Sequence, residues 1–261
     1  MELIISKDNT KIKYVKKLIA SSSFRKEEGL FVAEGKRLCD DALRSGAGVA
    51  LALFSEDFCQ NHPDDLERFR HSADQSFLVR NSIFCALSDT KTPQGVLFVI
   101  KTLDKPIDFD KMNKNGKIAA LESIKDPSNL GTILRSAEAF GVDLVVLSDD
   151  CCDIYSPKVI RGSMGALFRQ AVCIVDDLPA FIERFNHNGT SYAAVLDRDS
   201  VSLSEICFSS PSLVCIGNEG RGLSERVISS CSEKVFIPML GDAESLNASV
   251  AASILMWEMI K

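Results

Sequence analysis

From residue 117 onward the chain alternates short apolar runs with helical patterns, and that alternation limits the fold more than any other feature. The runs KIAALES, VDLVVLS, QAVCIV, SYAAVL, SLVCIG and EKVFIPM are rich in Val, Ile, Leu and Ala, and each has the length of a strand. Helix signals fall between them. Leu130, Ile133, Leu134 and Ala137 form one apolar face over 129–140, and Gly141 stops that helix. Ser156 followed by Pro157 is a cap with proline at the first helical position. The chain closes in SLNASVAASILMWEMIK, a long helix with apolar Leu246, Val250, Ile254, Met256 and Trp257. Strands joined in this way by helices predict a mainly parallel sheet covered on both faces.

The first hundred residues are mixed. GLFVAEG, VALALFS, SFLVR and GVLFVI read as strands, with a helix through KRLCDDALRSG, which predicts a small α/β domain. KTLDKPIDFDKMNKNGK contains Pro106 and NKNG and has no apolar periodicity. The expected organisation is therefore a domain over 1–105, a linker over 106–116 and a second domain over 117–261.

The nine cysteines include no C-x-x-C, and most sit in apolar runs, as reduced core residues do. His62, His71 and His187 form no close pair with another ligand type, so no metal is expected. No apolar run approaches the ~20 residues of a membrane helix, and MELIISKDNTK is no secretory signal. A cytoplasmic protein without membrane contact is expected. The net charge is −6, yet residues 1–26 carry seven cations against Glu2 and Asp8, a local +5 that leaves −11 for the rest. This segment is either a basic arm or the solvated face of a helix whose apolar side is Ile12, Val15, Leu18 and Ile19.

Ligands of parallel α/β sheets bind beyond the carboxyl ends of the strands. Three polar stretches fall at such ends, ESIKDPSNLGTILR, GNEGRGLSE and PMLGDAESLNAS, and together they predict one composite site. GNEGRGLS spaces its glycines as G-x-x-G-x-G, which is neither the dinucleotide nor the triphosphate fingerprint, and Glu219 would repel phosphate. A strand-to-helix turn needing positive φ accounts for the glycines equally well. Arg135 lies on the polar side of its helix, where the ordinary expectation is a pair with Glu138. In ESLNASVAA the ordinary cap is Ser245, which places Asn247 inside the first turn, where its propensity is poor.

Taken together these stretches resemble the motifs of the SpoU (TrmH-like) branch of the SPOUT RNA methyltransferases. DPSNLGTILRSAEAFGV resembles the first motif, with Asn129 and Arg135. LVCIGNEGRGLS resembles the second, with Gly217, Glu219 and Gly222, and IPMLGDAESLNASVAA the third, with Ser245, Leu246 and Asn247. SPKVIRGSMGALFR matches the stretch between the first two, and order and spacing agree over 117–261. RKEEGLFVAEGKRLCDDAL is similar to the family's amino-terminal RNA-binding domain. Ala248, where valine is common, and Gly162, where alanine is frequent, are the departures.

The resemblance implies an α/β protein with a C-terminal SPOUT trefoil-knotted domain on a mainly parallel sheet, plus a smaller N-terminal L30-like α/β domain. It implies methyl transfer from S-adenosyl-L-methionine to a ribose 2′-hydroxyl in RNA, ribosomal RNA favoured over transfer RNA, by a homodimer packed through the knotted domains. It assigns catalysis to Arg135, Asn129, Ser245, Asn247 and Glu219, with Glu219 bracing its loop. It assigns cofactor contacts to Leu196, Gly217, Asn218, Gly222, Ile237, Met239 and Leu246. A sulfonium ligand without phosphate explains a glycine loop without lysine. Arginine has a pKa of about 12.5 or above, so Arg135 is expected to orient the hydroxyl or its adjoining phosphate, next to a cofactor held by the partner subunit. RNA affinity is expected from the basic first 26 residues and local patches. Two further readings stay open on sequence alone: methylation of an RNA base, and an RNA-binding or ribosome-assembly protein that keeps the fold without turnover.

Overall fold

The computed structural model describes residues 1–103 and 115–261. The linker expected over 106–116 lies outside the described residues except for Asn115 and Gly116. The chain forms two compact units. The first is Met1–Leu103 together with Asp153–Phe168; the second continues through Cys152 and resumes over Arg169–Lys261. The first unit thus includes a segment that the sequence groups with 117–261.

The first unit contains β1 (Glu2–Ile4), α1 (Thr10–Ala20), α2 (Ser22–Glu28), β2 (Leu30–Glu34), α3 (Lys36–Arg44), β3 (Val49–Ser55), α4 (Glu56–Asn61), α5 (Pro63–His71), β4 (Ala73–Val79), α6 (Asn81–Leu87) and β5 (Val96–Lys101). The sheet order is β1-β4-β3-β5-β2, with β5 antiparallel to both neighbours and the other pairings parallel. Period-two alternation sends Leu51, Leu53, Leu97 and Val99 into a core with Ile12, Val15 and Leu18 of α1. The intervening Phe54 and Phe98 belong to an aromatic cluster with Phe58 and Phe69. Helix α1 therefore follows the solvated-face reading: its apolar stripe is buried and its lysines stand between.

Arg25 does not belong to a basic arm. It is 5% exposed, and its Nε donates to Asp153 Oδ2 at 2.8 Å while Nη1 donates to the carbonyls of Leu18 and Ile19. Tyr155 stacks on Phe31 with ring centroids 4.6 Å apart. Helix α8 (Pro157–Gly162) begins as expected, with Ser156 Oγ capping Val159 N–H and Pro157 in the first turn.

The second unit contains β6 (Lys117–Leu121), α7 (Pro127–Phe140), β7 (Leu144–Ser148), β8 (Val172–Val175), α9 (Leu178–Phe185), β9 (Thr190–Ala194), β10 (Val201–Ser202), β11 (Ser212–Ile216), α10 (Glu225–Ser230), β12 (Glu233–Phe236) and α11 (Ala248–Ile260). Its seven strands run in the order β10-β12-β9-β11-β6-β7-β8, and every pairing is parallel, as the alternation predicts. Ile118, Ala120, Leu144 and Val146 face Leu178 and Ile182 of α9 and Val227 of α10. Helices α7 and α11 pack together, and α11 lies on β6 and β11. Gly141 ends α7 in the left-handed conformation at φ 77°. No described helix is long and apolar enough to cross a membrane.

Candidate functional site

The strand order brings the three polar stretches to one edge. Strands β12, β9, β11 and β6 are consecutive neighbours and parallel, so Ile237, Leu196, Gly217 and Glu122 all lie just past their carboxyl ends. From β6 the chain turns to β7 on one side, while β11 and β9 lie on the other. That divergence is the switch point where open α/β sheets bind ligands.

At this point the three motifs are tied by one hydrogen-bonded relay. Glu219 accepts from Asn129 Nδ2 at 3.0 Å, from Asp126 N at 3.2 Å and from Lys125 N at 3.4 Å. Asn129 Oδ1 in turn accepts from Asn247 Nδ2 at 3.0 Å, and Asn247 Oδ1 accepts from Ser249 N at 2.9 Å and Ser249 Oγ at 2.6 Å. The direction of the relay is set at both ends, because a carboxylate only accepts and a backbone N–H only donates. Neither amide can flip without losing a partner. Asn129 is 7% exposed, so an unpaired amide there would be costly. Burial raises the Glu219 pKa, but the bond from Asn129 and the backbone donors outweigh it and hold the carboxyl below its ordinary value.

The relay corrects the expected helix start. Asn247, not Ser245, is the N-cap of α11, and its side chain accepts from Ser249 N–H. Its poor propensity inside a helix is thereby accounted for, since it sits just outside one. Helices α7 and α11 then run side by side in parallel. Asn129 meets Asn247, Ser136 meets Ser253 at 2.8 Å, and Phe140 meets Trp257 with ring centroids 5.5 Å apart.

The glycine loop is shaped chiefly by itself. Asn218 and Gly222 exchange both backbone hydrogen bonds, at 3.0 and 2.9 Å, and Asn218 Oδ1 accepts from Gly220 N and Arg221 N. Gly222 has φ 69°. A Cβ on Gly217 would lie 2.2 Å from the backbone of Gly222 and Leu223, so Gly217 is required by the loop's closure on itself. Ser224 caps α10 and is held by Glu122, which accepts from Ser224 N at 2.7 Å and Oγ at 2.6 Å.

A cavity of about 620 Å³ gathers Asn129, Glu219, Ser245, Leu246 and Asn247 together with Lys125 and Asp126. Asn218 and Gly222 instead line a neighbouring cavity of about 610 Å³ with Ser123, Asp150 and Arg221, and Lys125 borders both. The three stretches meet at one edge, and two adjoining cavities open there. Leu196, Gly217, Ile237 and Met239 line neither. Leu196 lies beyond the end of β9 and is 74% exposed; Ile237 and Met239 are half-buried.

Arg135 stands apart from the relay. It is exposed, and its side chain makes no hydrogen bond or ion pair among the described residues. Glu138, its expected partner, is bound to Arg169 Nε at 2.7 Å. Helical geometry explains the separation: Arg135 shares the solvent-facing stripe of α7 with Ser128, Thr132 and Ala139, while Asn129 faces inward.

Sequence reading missed Lys125, Ser123 and Asp150. Ser123 has φ 55° and its N–H donates to Ser148 Oγ at 2.9 Å; its hydroxyl donates to Asp150. Lys125 Nζ is 3.0 Å from Asp150 Oδ2. Burial opposes the ionised form of Asp150, yet the bonds from Ser123, Ser148 and Lys125 win and lower its pKa to about 2. ESIKD already shows Ser123 and Lys125 at a strand end; nothing local marks Asp150 as their partner. Among the described residues no group of three His, Cys, Asp or Glu side chains could hold a metal ion.

The edge suits a ligand with an apolar body and a positive centre. Leu196, Leu240 and Leu246 are exposed, an ionised Glu219 lines the cavity, and its lining cation, Lys125, is paired with Asp150. A polyphosphate would meet carboxylates there.

Residues 116–257 match the model of the SpoU rRNA Methylase family, and residues 9–97 match that of the MRM3-like substrate binding domain. An uncharacterized tRNA/rRNA methyltransferase of Synechocystis is 32% identical over 98% of this chain and 92% of its own. The 23S rRNA (guanosine(2553)-2′-O)-methyltransferase RlmP of Bacillus subtilis is 30% identical over 99% of both chains. The crystal structure of an AdoMet-bound rRNA methyltransferase from Sinorhizobium meliloti superposes with a TM-score of 0.86 at 25% identity, covering 99% of this chain and 97% of that one.

Proposed function

Because the chain belongs to the SpoU rRNA methylase family, we propose that it transfers a methyl group from S-adenosyl-L-methionine to a ribose 2′-hydroxyl of ribosomal RNA, in the cytoplasm. The observation that carries this reading is the Glu219–Asn129–Asn247 relay, which joins three stretches distant in sequence at the sheet's switch point. The named activities of the relatives supply the reaction class. Residues 1–105 hold the RNA in this reading, and 117–261 carry the chemistry on the family's knotted chain path.

The residues present fit the cofactor. Leu196, Ile237, Met239 and Leu246 offer apolar surface to its adenosyl body, and the main chain of Gly217, Asn218 and Gly222 offers hydrogen bonds. When bound, the cofactor supplies an electrophilic methyl on a sulfonium, so the protein's task is alignment. Asn129 and Asn247 are locked by the relay and face the cavity with Ser245, where they position the ribose. Glu219 holds Asn129 and the start of α7, and its negative charge suits a cationic ligand.

Arg135 enters from a second copy of the chain. Supporting this, α11 is apolar all round: Met256 and Leu255 are buried, yet Val250 and Trp257 are 47% and 51% exposed on the helix packed beside Arg135's own. In a homodimer through this face, Arg135 contacts the hydroxyl or its adjoining phosphate in the partner's site.

The test is transfer of a labelled methyl group to unmodified ribosomal and transfer RNA, followed by alkaline hydrolysis. Label in an alkali-resistant dinucleotide from ribosomal RNA is the expected result. Label in mononucleotides would move the chemistry to a base, and label in transfer RNA alone would change the substrate.

A further inference from the structure

A third cavity, of about 390 Å³, lies within the first unit and has no part in the chemistry above. It opens where β2, β3 and β4 end and β5 begins, at the carboxyl edge of the unit's parallel strands, and is lined there by Lys36, Ser55, Asn81 and Gln94. Its floor is aromatic. Phe58 and Phe84 are 2% and 1% exposed, and the His62 ring packs against Phe58, tilted by 40° with centroids 5.0 Å apart. The His62 side chain is itself 46% exposed, so part of the imidazole remains open to a planar partner.

The polar wall is ordered and only partly used. Gln94 accepts from Lys36 N at 2.8 Å through Oε1, which leaves its NH₂ group to donate. Asn81 is held at both ends of its amide, by Asp57 N at 3.1 Å and Asp57 Oδ1 at 2.7 Å. Asn61, at the rim, makes no side-chain hydrogen bond among the described residues. Gly95 lets the backbone pack closely at the back of the pocket: a Cβ there would strike Ser55 Oγ at 2.3 Å and Phe58 Cβ at 2.8 Å.

Charge around the pocket is sorted. The carboxylates of this edge are committed: Glu34 to Thr90 Oγ1 and Asp89 N, Glu56 to Asn81 N, Asp57 to Asn81 Nδ2, and Asp89 to Arg161. The exposed cations of the same edge, Arg37, Arg80 and Lys91, make no ion pair among the described residues. In the basic first 26 residues, by contrast, Arg25 is buried on Asp153 and Lys13 is paired with Asp8.

An aromatic floor, amide groups left to bond a flat polar edge, and a rim of uncommitted cations are the features that single-stranded RNA binding uses: stacking, base-edge hydrogen bonds and phosphate contacts. We propose that this pocket receives one unstacked nucleotide of the RNA substrate, its base against His62 and within reach of Gln94 and Asn61, with Arg37, Arg80 and Lys91 along the backbone. The proposal rests on the functional reading only in taking RNA as the substrate; it locates where the first unit grips it, within the segment matched to a substrate-binding domain.

The test measures binding of a fluorescein-labelled single-stranded RNA of mixed sequence to the full chain across a salt series. His62→Ala is expected to weaken binding about tenfold with little change in salt dependence, and His62→Phe, which keeps a stacking ring, to restore most of it. Arg80→Ala is expected to reduce the slope of log affinity against log salt by about 0.7, one phosphate contact on a single strand. Cofactor affinity, measured in parallel by calorimetry, stays at the wild-type value in all three. Wild-type affinity in His62→Ala, or no RNA binding by the wild-type chain, overturns the proposal. Loss of RNA binding in His62→Ala supports it even if the wild-type chain transfers no methyl group, so the two readings fail separately.

Discussion

Asn247 Nδ2 donates to Asn129 Oδ1 at 3.0 Å, joining residues 118 positions apart and locking the amide of each through the other. Asp and Asn cap helices about equally well, so cap chemistry alone makes Asn247→Asp harmless. In this relay it is not. An aspartate keeps the acceptor for Ser249 N–H but loses the donor, and it turns a carboxylate oxygen toward Asn129 Oδ1. Asn129 cannot flip away because Glu219 holds its Nδ2. Asn247→Ala is expected to lose about 1 kcal/mol and Asn247→Asp about 2 kcal/mol, an order opposite to cap preference. Urea midpoints at neutral pH check it; an aspartate variant as stable as wild type would remove the relay from the account.

Gly217→Ala and Gly222→Ala separate two reasons for glycine in one loop. The first places a methyl 2.2 Å from backbone that cannot move without opening the loop. It is expected to cost about 3 kcal/mol or more and to abolish cofactor binding. The second meets nothing within 4 Å and strains only a φ of 69°, so about 1 kcal/mol is expected, with binding retained. Thermal melts with and without the cofactor distinguish the two.

Acid should loosen this edge first. Asp150 is held at about 2, and Glu219 also lies below its ordinary value. Groups with depressed folded-state pKa values contribute stability above their unfolded values, and that contribution is lost as pH falls through the folded ones. The loss contributed by Asp150 therefore falls between about pH 4 and pH 2. Both carboxylates are partly exposed, so the effect is modest. Asp150→Asn is expected to flatten the stability–pH curve over that window, and denaturant titrations at stepped pH would show it; an unchanged slope would count against the Ser123–Ser148–Lys125 cradle.

Arg135→Ala is expected to abolish methyl transfer while leaving cofactor affinity within about twofold, because Arg135 lies outside both cavities of its own chain. Trp257→Asp is expected to yield monomers by sedimentation. Mixing Arg135→Ala with Asn129→Ala chains should recover activity through heterodimers that hold one intact site. No recovery in a mixture shown to exchange subunits would place Arg135 in its own subunit's site.

Six of the seven strands of the second unit were legible because each is an apolar run with a turn signal at its end; the two-residue β10 was not, and the helix expected between β9 and β11 is replaced by β10 and a short 3₁₀ turn. The relay was legible as three stretches, but its wiring was not. Asn247 looks like a misplaced helix residue until its cap bond to Ser249 and its cross-helix bond to Asn129 are both seen. Arg135 and Asn129 share a motif, yet six residues of helix turn them to different faces. Leu196 follows an apolar run and lies in solvent, since the strand ends at Ala194. Least legible was the placement of Asp153–Phe168. Ser156 and Pro157 announce a helix, but local pattern cannot say which core buries Val159 and Ile160, and the answer is the core of the other unit.

That placement bears on biosynthesis. The first unit is discontinuous: Arg25 buries its guanidinium on Asp153, and Phe31 packs on Tyr155 and Phe168, all of which emerge from the ribosome after β6, α7 and β7. An N-terminal unit ordinarily folds as soon as it is translated. Here part of the first unit's aromatic core stays uncovered until residue 168 has emerged.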